Sequence, residues 1–472
     1  MLRSEWAAQD TATLSVTTLE TPGLGNRSYV ADADGWAVAV DVPRDLDRVE
    51  EILNRRHARL GAVVETHLHN DYVTGGAALA RRHGARYVVP FGPMIGVAAD
   101  RGRPGEAIDV GPLRLRLIAT PGHTDSHTAY SLHLEDGPAE AAFTGGSLLL
   151  GGNGRTDLMG SERAEELARA QYWTVRRLAR LLPGQTRLLP THGFGSFCLA
   201  GHAEEPAGDT LADQLTVNPA YLLDEDRFVA DLLGRLGPVP AYFDQMALRN
   251  AAGPTAADLT PPPLLGFEQA ARLAGPTWVV DTRDRRAFAR GHLPGSVNVD
   301  AAGALATWVG WTVPVDEPIV VVATDRSLLA HVQRELVRIG VDHLAGAVLG
   351  DPPAGMATTL GTARFEDLAF ALADDSAGPV LDVRDDHEWR TGHVRGAVHV
   401  PAHRVREAVA TGLTGEDPWV YCGVGFRAAV AGSLLAREGV FPTVVHDDVA
   451  LAAAHGAPWC SGSHCPDHRC LG

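Results

Sequence analysis

At 472 residues, 45% hydrophobic and 21% charged, the chain has the composition of a soluble globular protein and the length of about three domains. Its net charge of −17 argues against a nucleic-acid partner. All 41 basic residues are Arg, so neither a lysine Schiff base nor a P-loop lysine can operate here.

The N-terminus, Met1-Leu-Arg-Ser-Glu-Trp6, lacks the apolar core of a signal peptide, and no apolar run is long enough to span a bilayer. A cytoplasmic protein without membrane contact is expected. The five cysteines stand in unlike contexts and do not make a disulfide framework. Residues 11–45 alternate as β structure, and Asp45–Leu60 spaces Leu46, Val49, Ile52 and Leu53 as an amphipathic helix. The buried-strand run Gly61-Ala-Val-Val-Glu65 then opens into Thr66-His67-Leu-His69-Asn-Asp71-Tyr72. Two imidazoles and a carboxylate at alternate positions where a strand ends can converge on one point, and they are the donors a borderline divalent metal accepts. Further strands are expected at Arg86–Val89 and Leu113–Ala119, with a loop Thr120-Pro-Gly-His123-Thr-Asp-Ser-His127 after the second. Phe143-Thr-Gly-Gly146 is another strand exit, Ser161–Leu182 a helix with Ser161 as its N-cap, and Leu188-Leu-Pro-Thr-His192 a final strand exit.

That ordered set of histidines, together with Asp41-Val-Pro-Arg-Asp45 and Gly154-Arg-Thr-Asp157, resembles the metallo-β-lactamase fold and, within it, the persulfide dioxygenase and glyoxalase II branch. The resemblance implies an αββα sandwich over residues 1–253. It departs at two points. The family's cluster ends in His where this chain has Tyr72, and the family's Phe-Thr-Gly-Asp supplies a carboxylate ligand where this chain has Gly146. The resemblance therefore implies one metal, Fe(II) or Zn(II), on His67, His69 and His123, with Asp71 and His192 beside the open position. It also implies weak or absent dioxygenase activity, with Gly146→Asp expected to raise iron affinity and oxygen uptake.

Gly253-Pro-Thr-Ala-Ala-Asp-Leu-Thr-Pro-Pro-Pro263 reads as a semi-rigid linker, assigned to 254–263. Beyond it the chain repeats itself. Asp281–Val299 aligns without gaps on Asp382–Val400, sharing Asp, Arg, Asp, Gly, His, Gly, Val and Val. Each copy alternates strands and helices, which predicts an α/β parallel sheet. The pattern resembles the rhodanese fold over 264–350 and 363–455, with 351–362 as linker and 456–472 as a Cys/His-rich tail. In the second copy a strand exits through Tyr421-Cys422-Gly-Val-Gly-Phe-Arg427 into a helix. Backbone N–H groups and the helix dipole stabilise a thiolate there, and Arg427 adds positive charge for an anionic donor. The loop looks like a sulfurtransferase loop. The first copy holds no cysteine and is expected to be structural. The tail carries Cys460, Cys465 and Cys470 and is expected to be exposed with free thiols; metal binding and sulfur acceptance are its alternatives.

The expected protein is an α/β multidomain enzyme of reduced-sulfur metabolism. A metal domain would oxidise a low-molecular-weight thiol persulfide, and Cys422 would carry sulfur taken from a persulfide or thiosulfate, with Arg427 and Asp71 as further catalytic groups. The alternatives are a glyoxalase II-like thioester hydrolase and a non-catalytic scaffold with a sulfur-carrier or sensor Cys422. Assembly as a homo-oligomer stays open.

Overall fold

The computed structural model describes residues 3–6, 13–92, 95–193, 195–200, 208–274, 277–412, 417–461 and 469–470. The chain divides into two compact units, Met1–Asp258 with Val337–Gly340, and Leu259–Leu336 with Val341–Gly472. Among the described residues no helix is long and apolar enough to cross a membrane.

The first unit is built on two sheets. One holds β1 Arg3–Trp6, β2 Leu14–Thr21, β3 Asn26–Ala33, β4 Trp36–Val40, β5 Arg59–Val64, β6 Arg86–Pro90 and β7 Asp100–Gly102 in sequence order. The other holds β8 Ala107–Val110, β9 Leu113–Ala119, β10 Thr128–Leu134, β11 Ala139–Gly145 and β12 Arg187–Pro190, ordered β12-β11-β10-β9-β8. Their facing sides pack together through Val38, Val40, Leu115, Tyr130 and Phe143. Strand alternation supplies the outer layers: Ala37 and Ala39, one pleat over from Val38, face the helices Asp47–Arg56 and Gly76–His83. The helix Ala164–Leu181 covers the second sheet with Ala168, Val175 and Leu178. This is the expected αββα sandwich. Ser161 does not cap that helix. It opens a single 3-10 turn, Ser161–Arg163, and makes no capping side-chain bond.

The sandwich brings the ends of β5, β11 and β12, and the β9–β10 turn, to one edge. His67 and His69 follow β5, Gly146 follows β11, His192 follows β12 and His123 lies in the turn.

In the second unit the duplication is visible as structure. β13 Trp278–Asp281, β14 Val297–Asn298, β15 Ile319–Ala323 and β16 Leu344–Leu349 form a parallel sheet ordered β14-β13-β15-β16. The second copy contributes β17 Gly361–Ala363, β18 Val380–Asp382, β19 Gly392–Val394, β20 Val398–His399, β21 Trp419–Tyr421 and β22 Thr443–Val445. The shared residues hold matching bonds. Arg283 forks onto Asp281 and reaches the Gly291 carbonyl at 2.9 Å; Arg384 forks onto Asp382 and reaches the Gly392 carbonyl at 2.6 Å. His292 stacks on Phe288 as His393 stacks on Trp389.

The tail departs from expectation. β23 Trp459–Ser461 pairs antiparallel with β19, and β24 Arg469–Cys470 runs parallel to β20. Cys460 is buried and disulfide-bonded, so it is not a free exposed thiol. Once the segment pairs as a strand, its backbone amides are satisfied in the sheet, which holds Cys460 inside. Residues 462–468, with His464, Cys465 and His468, lie outside the described residues.

Candidate functional site

His67, His123 and His192 are fully buried, and one nitrogen from each lies within 4.8 Å of the others. The neighbours of each ring settle its tautomer. The His67 Nδ1–H faces Thr66 Oγ1 at 2.9 Å, an oxygen whose own proton goes to Asp41 at 2.7 Å. The His123 Nδ1–H donates to the Arg155 carbonyl at 2.7 Å. The His192 Nδ1–H donates to Asn26 Oδ1 at 3.0 Å, with Asp71 Oδ2 at 3.3 Å. Each ring is thereby left with a lone pair on Nε2. His123 Nε2 has no hydrogen-bond partner, and the Nε2 atoms of His67 and His192 face each other at 3.4 Å. Burial, and then the neighbouring imidazoles, hold the His67 pKa well below its usual value; burial and His192 bring His123 down to about 3. Three imidazoles whose Nε2 atoms point toward one another fit a divalent cation between them, and nitrogen donors of this kind suit iron or zinc.

His69 lies beside this trio: its Nδ1 is buried without a hydrogen-bond partner, and one of its ring nitrogens converges with Asp71 and His192 within 4.8 Å. Its Nε2 lies 3.3 Å from Asp41 Oδ1 and 3.3 Å from Glu65 Oε2. Burial opposes its charge, but the two carboxylates outweigh burial and raise its pKa to about 10. All five expected donors fall in two overlapping groups, His67 with His123 and His192, and His69 with Asp71 and His192, rather than in a set of His67, His69 and His123 alone. Asp41 and Glu65, both buried at strand ends, flank the Nε2 side of the ring and leave Nδ1 without a partner. Tyr72 stacks on His69 at 4.4 Å and donates to the Asp41 carbonyl at 2.8 Å. Burial, and then the nearby carboxylates, push its phenol well up, so it stays neutral.

Asp71 sits beside His192. It accepts from Asn26 Nδ2 at 2.7 Å on Oδ2, while its buried Oδ1 has no partner. Burial works against its ionisation, yet His192 and Asn26 hold its pKa at about 2. At Gly146 there is no room for a side chain. A Cβ there would lie 2.2 Å from His123 Cδ2 and 2.5 Å from Nε2. The Gly146 N–H is held by His127 Nε2 at 2.9 Å, and His127 in turn stacks on His67 at 5.0 Å. A carboxylate at 146 would therefore need the His123 ring to shift before it could join the site.

Two buried groups that sequence patterning missed hold the metal-side loop in place. Asn250, on the helix Phe243–Ala252, donates to the carbonyls of His69 and Tyr72 and accepts from the Thr74 N–H. Tyr242 donates to the Asp71 carbonyl at 3.0 Å. An apolar helix pattern gives no sign of such polar anchors.

Cys422 is 1% exposed and lies between β21 and the helix Phe426–Arg437. The Gly425 N–H donates to Sγ at 3.1 Å. Gly425 has φ +89°, and a Cβ would come 3.0 Å from His446 Cα, so glycine alone fits the turn. Arg427 is beside the loop but occupied: it forks onto Glu388 at 2.5 and 2.7 Å and reaches Asp385 at 3.1 Å. The structure thus places Arg427 in an ion pair rather than free to meet an anion. Cys198 is wholly buried, and burial pushes its thiol up.

The family model for the rhodanese-like domain matches residues 268–348 and 366–448. The mitochondrial persulfide dioxygenase ETHE1 of Homo sapiens is 30% identical over 205 residues, 43% of this chain and 71% of that protein. A hydroxyacylglutathione hydrolase of Cupriavidus metallidurans is 33% identical over 201 residues, 40% of this chain and 72% of its own length. The chain belongs to the metallo-β-lactamase-fold family of these enzymes. A crystal structure of a metallo-β-lactamase from Staphylococcus aureus subsp. aureus COL shares the fold, with TM-score 0.65 and 24% identity. It aligns over 72% of this chain and 99% of its own. In this protein the family's metal-binding domain is fused to two rhodanese-like domains.

Proposed function

We propose that this enzyme of reduced-sulfur metabolism oxidises a low-molecular-weight thiol persulfide at a single metal held by His67, His123 and His192, and moves sulfane sulfur through Cys422. The observation that carries the reading is the pairing of two chemistries in one chain. Three Nε2 lone pairs converge on one point, and a thiol at a strand-to-helix turn receives a backbone N–H. A persulfide is the substrate class that both can handle.

Iron(II) bound there would supply dioxygen activation. The chain's own residues do the rest. Thr66, the Arg155 carbonyl and Asn26 fix the three rings so that their lone pairs stay aimed inward. The partnerless Oδ1 of Asp71 is an anionic acceptor that can orient an incoming persulfide or water by accepting its hydrogen bond. The imidazolium of His69, flanked by Asp41 and Glu65, puts a positive charge beside Asp71 and His192, which disfavours a second cation there. In the sulfur-transfer half, the Cys422 thiolate attacks the outer sulfur of the donor. The donor S–S bond breaks, a thiol or sulfite leaves with the electron pair, and Cys422 holds the sulfur as Cys-S-SH.

A second reading, thioester hydrolysis, is favoured by the hydroxyacylglutathione hydrolase relative and by the same Asp71 Oδ1 placed to orient a water. One experiment separates the two. Protein purified without added metal is analysed for iron and zinc, then assayed for oxygen uptake with a thiol persulfide and for hydrolysis of a glutathione thioester. Iron with oxygen uptake supports the first reading; zinc with hydrolysis alone replaces it with the second.

A further inference from the structure

The loop that carries Cys422 is held by residues of the other domain copy. Arg285, in the helix Arg285–Arg290 of the cysteine-less copy, donates from Nη2 to the Val424 carbonyl at 3.2 Å. The Phe426 ring packs on Gly303 of the same copy, where a Cβ would come within 2.4 Å of it. Trp308 meets that ring edge-on at 6.0 Å. Both neighbours of Gly425 are therefore pinned from the first copy.

The Val424 C=O and the Gly425 N–H are the two ends of one planar trans peptide, so they point in opposite directions. One end accepts from Arg285; the other donates to Cys422 Sγ at 3.1 Å. A guanidinium on the carbonyl polarises the amide and strengthens its N–H as a donor. It also opposes rotation of the peptide, which Gly425 would otherwise permit and which would turn a carbonyl oxygen toward the sulfur. Arg285 is itself oriented by Asp300 Oδ2, 3.5 Å from Nη1 and 3.3 Å from the Arg285 backbone N–H. The other charged or titratable groups around the loop do not perform this task. Arg427 is taken by Glu388 and Asp385. The ring nitrogens of His446, with Nδ1 3.3 Å from the Cβ position of Gly425, bond to nothing. His403 stacks on Trp311 at 5.2 Å.

We propose that Arg285 is a positioning residue for sulfur transfer at Cys422, acting through the single peptide Val424–Gly425. The copy without a cysteine is then part of the machinery of the copy that has one. The inference rests on Cys422 as the sulfur acceptor.

The test uses the full-length chain and two neutral variants, Arg285→Gln and Arg285→Met, either of which suffices if folded, with Arg285→Lys as the conservative replacement. The rate of Cys422 alkylation by iodoacetamide is measured against pH by peptide mass, alongside kcat and KM for sulfur transfer from thiosulfate to cyanide. Weakening of the Gly425 N–H bond to the thiolate, with its complete loss as the limit, should slow alkylation at neutral pH by up to about fivefold. The profile should move to higher pH, and kcat should fall more than KM rises. Arg285→Lys should recover part of both. A folded neutral variant with the native alkylation profile overturns the proposal. Should the profile move while even native protein transfers no sulfur, Arg285 keeps its positioning role and the sulfur-transfer reading falls instead.

Discussion

Gly146→Asp restores the residue that the family's ligand pattern carries, and the structure predicts that it damages the site. A Cβ at 146 would lie 2.2 Å from His123 Cδ2. Restoring an ordinary contact of about 3.4 Å requires the ring to retreat by roughly 1.2 Å, whereas metal–ligand distances tolerate about 0.2 Å. The same retreat breaks the 2.7 Å bond from His123 Nδ1 to the Arg155 carbonyl. Loss of such an orienting bond alone costs about 10- to 100-fold in metal affinity, so a displaced ligand should cost at least that. Gly146→Ala separates sterics from charge, because it carries the colliding Cβ without the carboxylate. Metal affinity measured by competition with a chromophoric chelator should fall in both variants. If Gly146→Asp binds metal more tightly than native protein while Gly146→Ala binds more weakly, the carboxylate is a missing ligand after all and the three-histidine site is refuted.

The remaining predictions concern the individual side chains. His192→Ala should remove the metal measured by elemental analysis, as should His67→Ala combined with His123→Ala, whereas His69→Gln should leave it at one equivalent. Two equivalents in native protein would contradict the imidazolium at the second position. His69→Ala leaves Asp41 and Glu65 buried without their cation and should lower stability by about 3–5 kcal/mol in denaturant unfolding. Cys422→Ser should abolish the mass increment of about 32 Da that marks a persulfide. Cys460→Ser should leave that increment in place, because Cys460 is tied into a disulfide.

The fold was legible because its signals are local and periodic. Alternation in Trp36–Val40 and the strand exits at His67, Gly146 and His192 show which residues end at one edge, and the duplicated Asp-x-Arg and Gly-His segments show that a domain recurs. The ligand set was less legible. Alternate positions on a strand place His67 and His69 together on paper, but which nitrogen of His69 is left open depends on Asp41, which lies 28 residues before it. It also depends on Asn26, which turns His192. Neither contact leaves a spacing signal. The same limit explains Arg427: its charge was evident, but its capture by Glu388 and Asp385 was not. The tail shows it again, since a run of Cys and His does not reveal that Trp459–Ser461 pairs with Gly392–Val394.

The two copies show why a cysteine alone does not make a sulfur site. In the second copy four residues, Cys422 to Gly425, separate the end of β21 from the helix, and the Gly425 N–H is given to Sγ. In the first copy only Thr324 and Asp325 lie between the end of β15 and the helix Arg326–Arg338. The Asp325 carboxylate accepts from the N–H groups of Ser327 and Leu328 at 2.8 and 2.9 Å. The donors that could stabilise an anionic sulfur are thus already satisfied by the chain's own carboxylate, and the shorter loop cannot curl around another atom. Thr324→Cys, placed in a Cys422→Ser background, should therefore gain no persulfide on incubation with thiosulfate. If it loads sulfur at the native rate, the length of the loop and the occupancy of its N–H groups do not control the chemistry, and the contrast drawn between the copies fails.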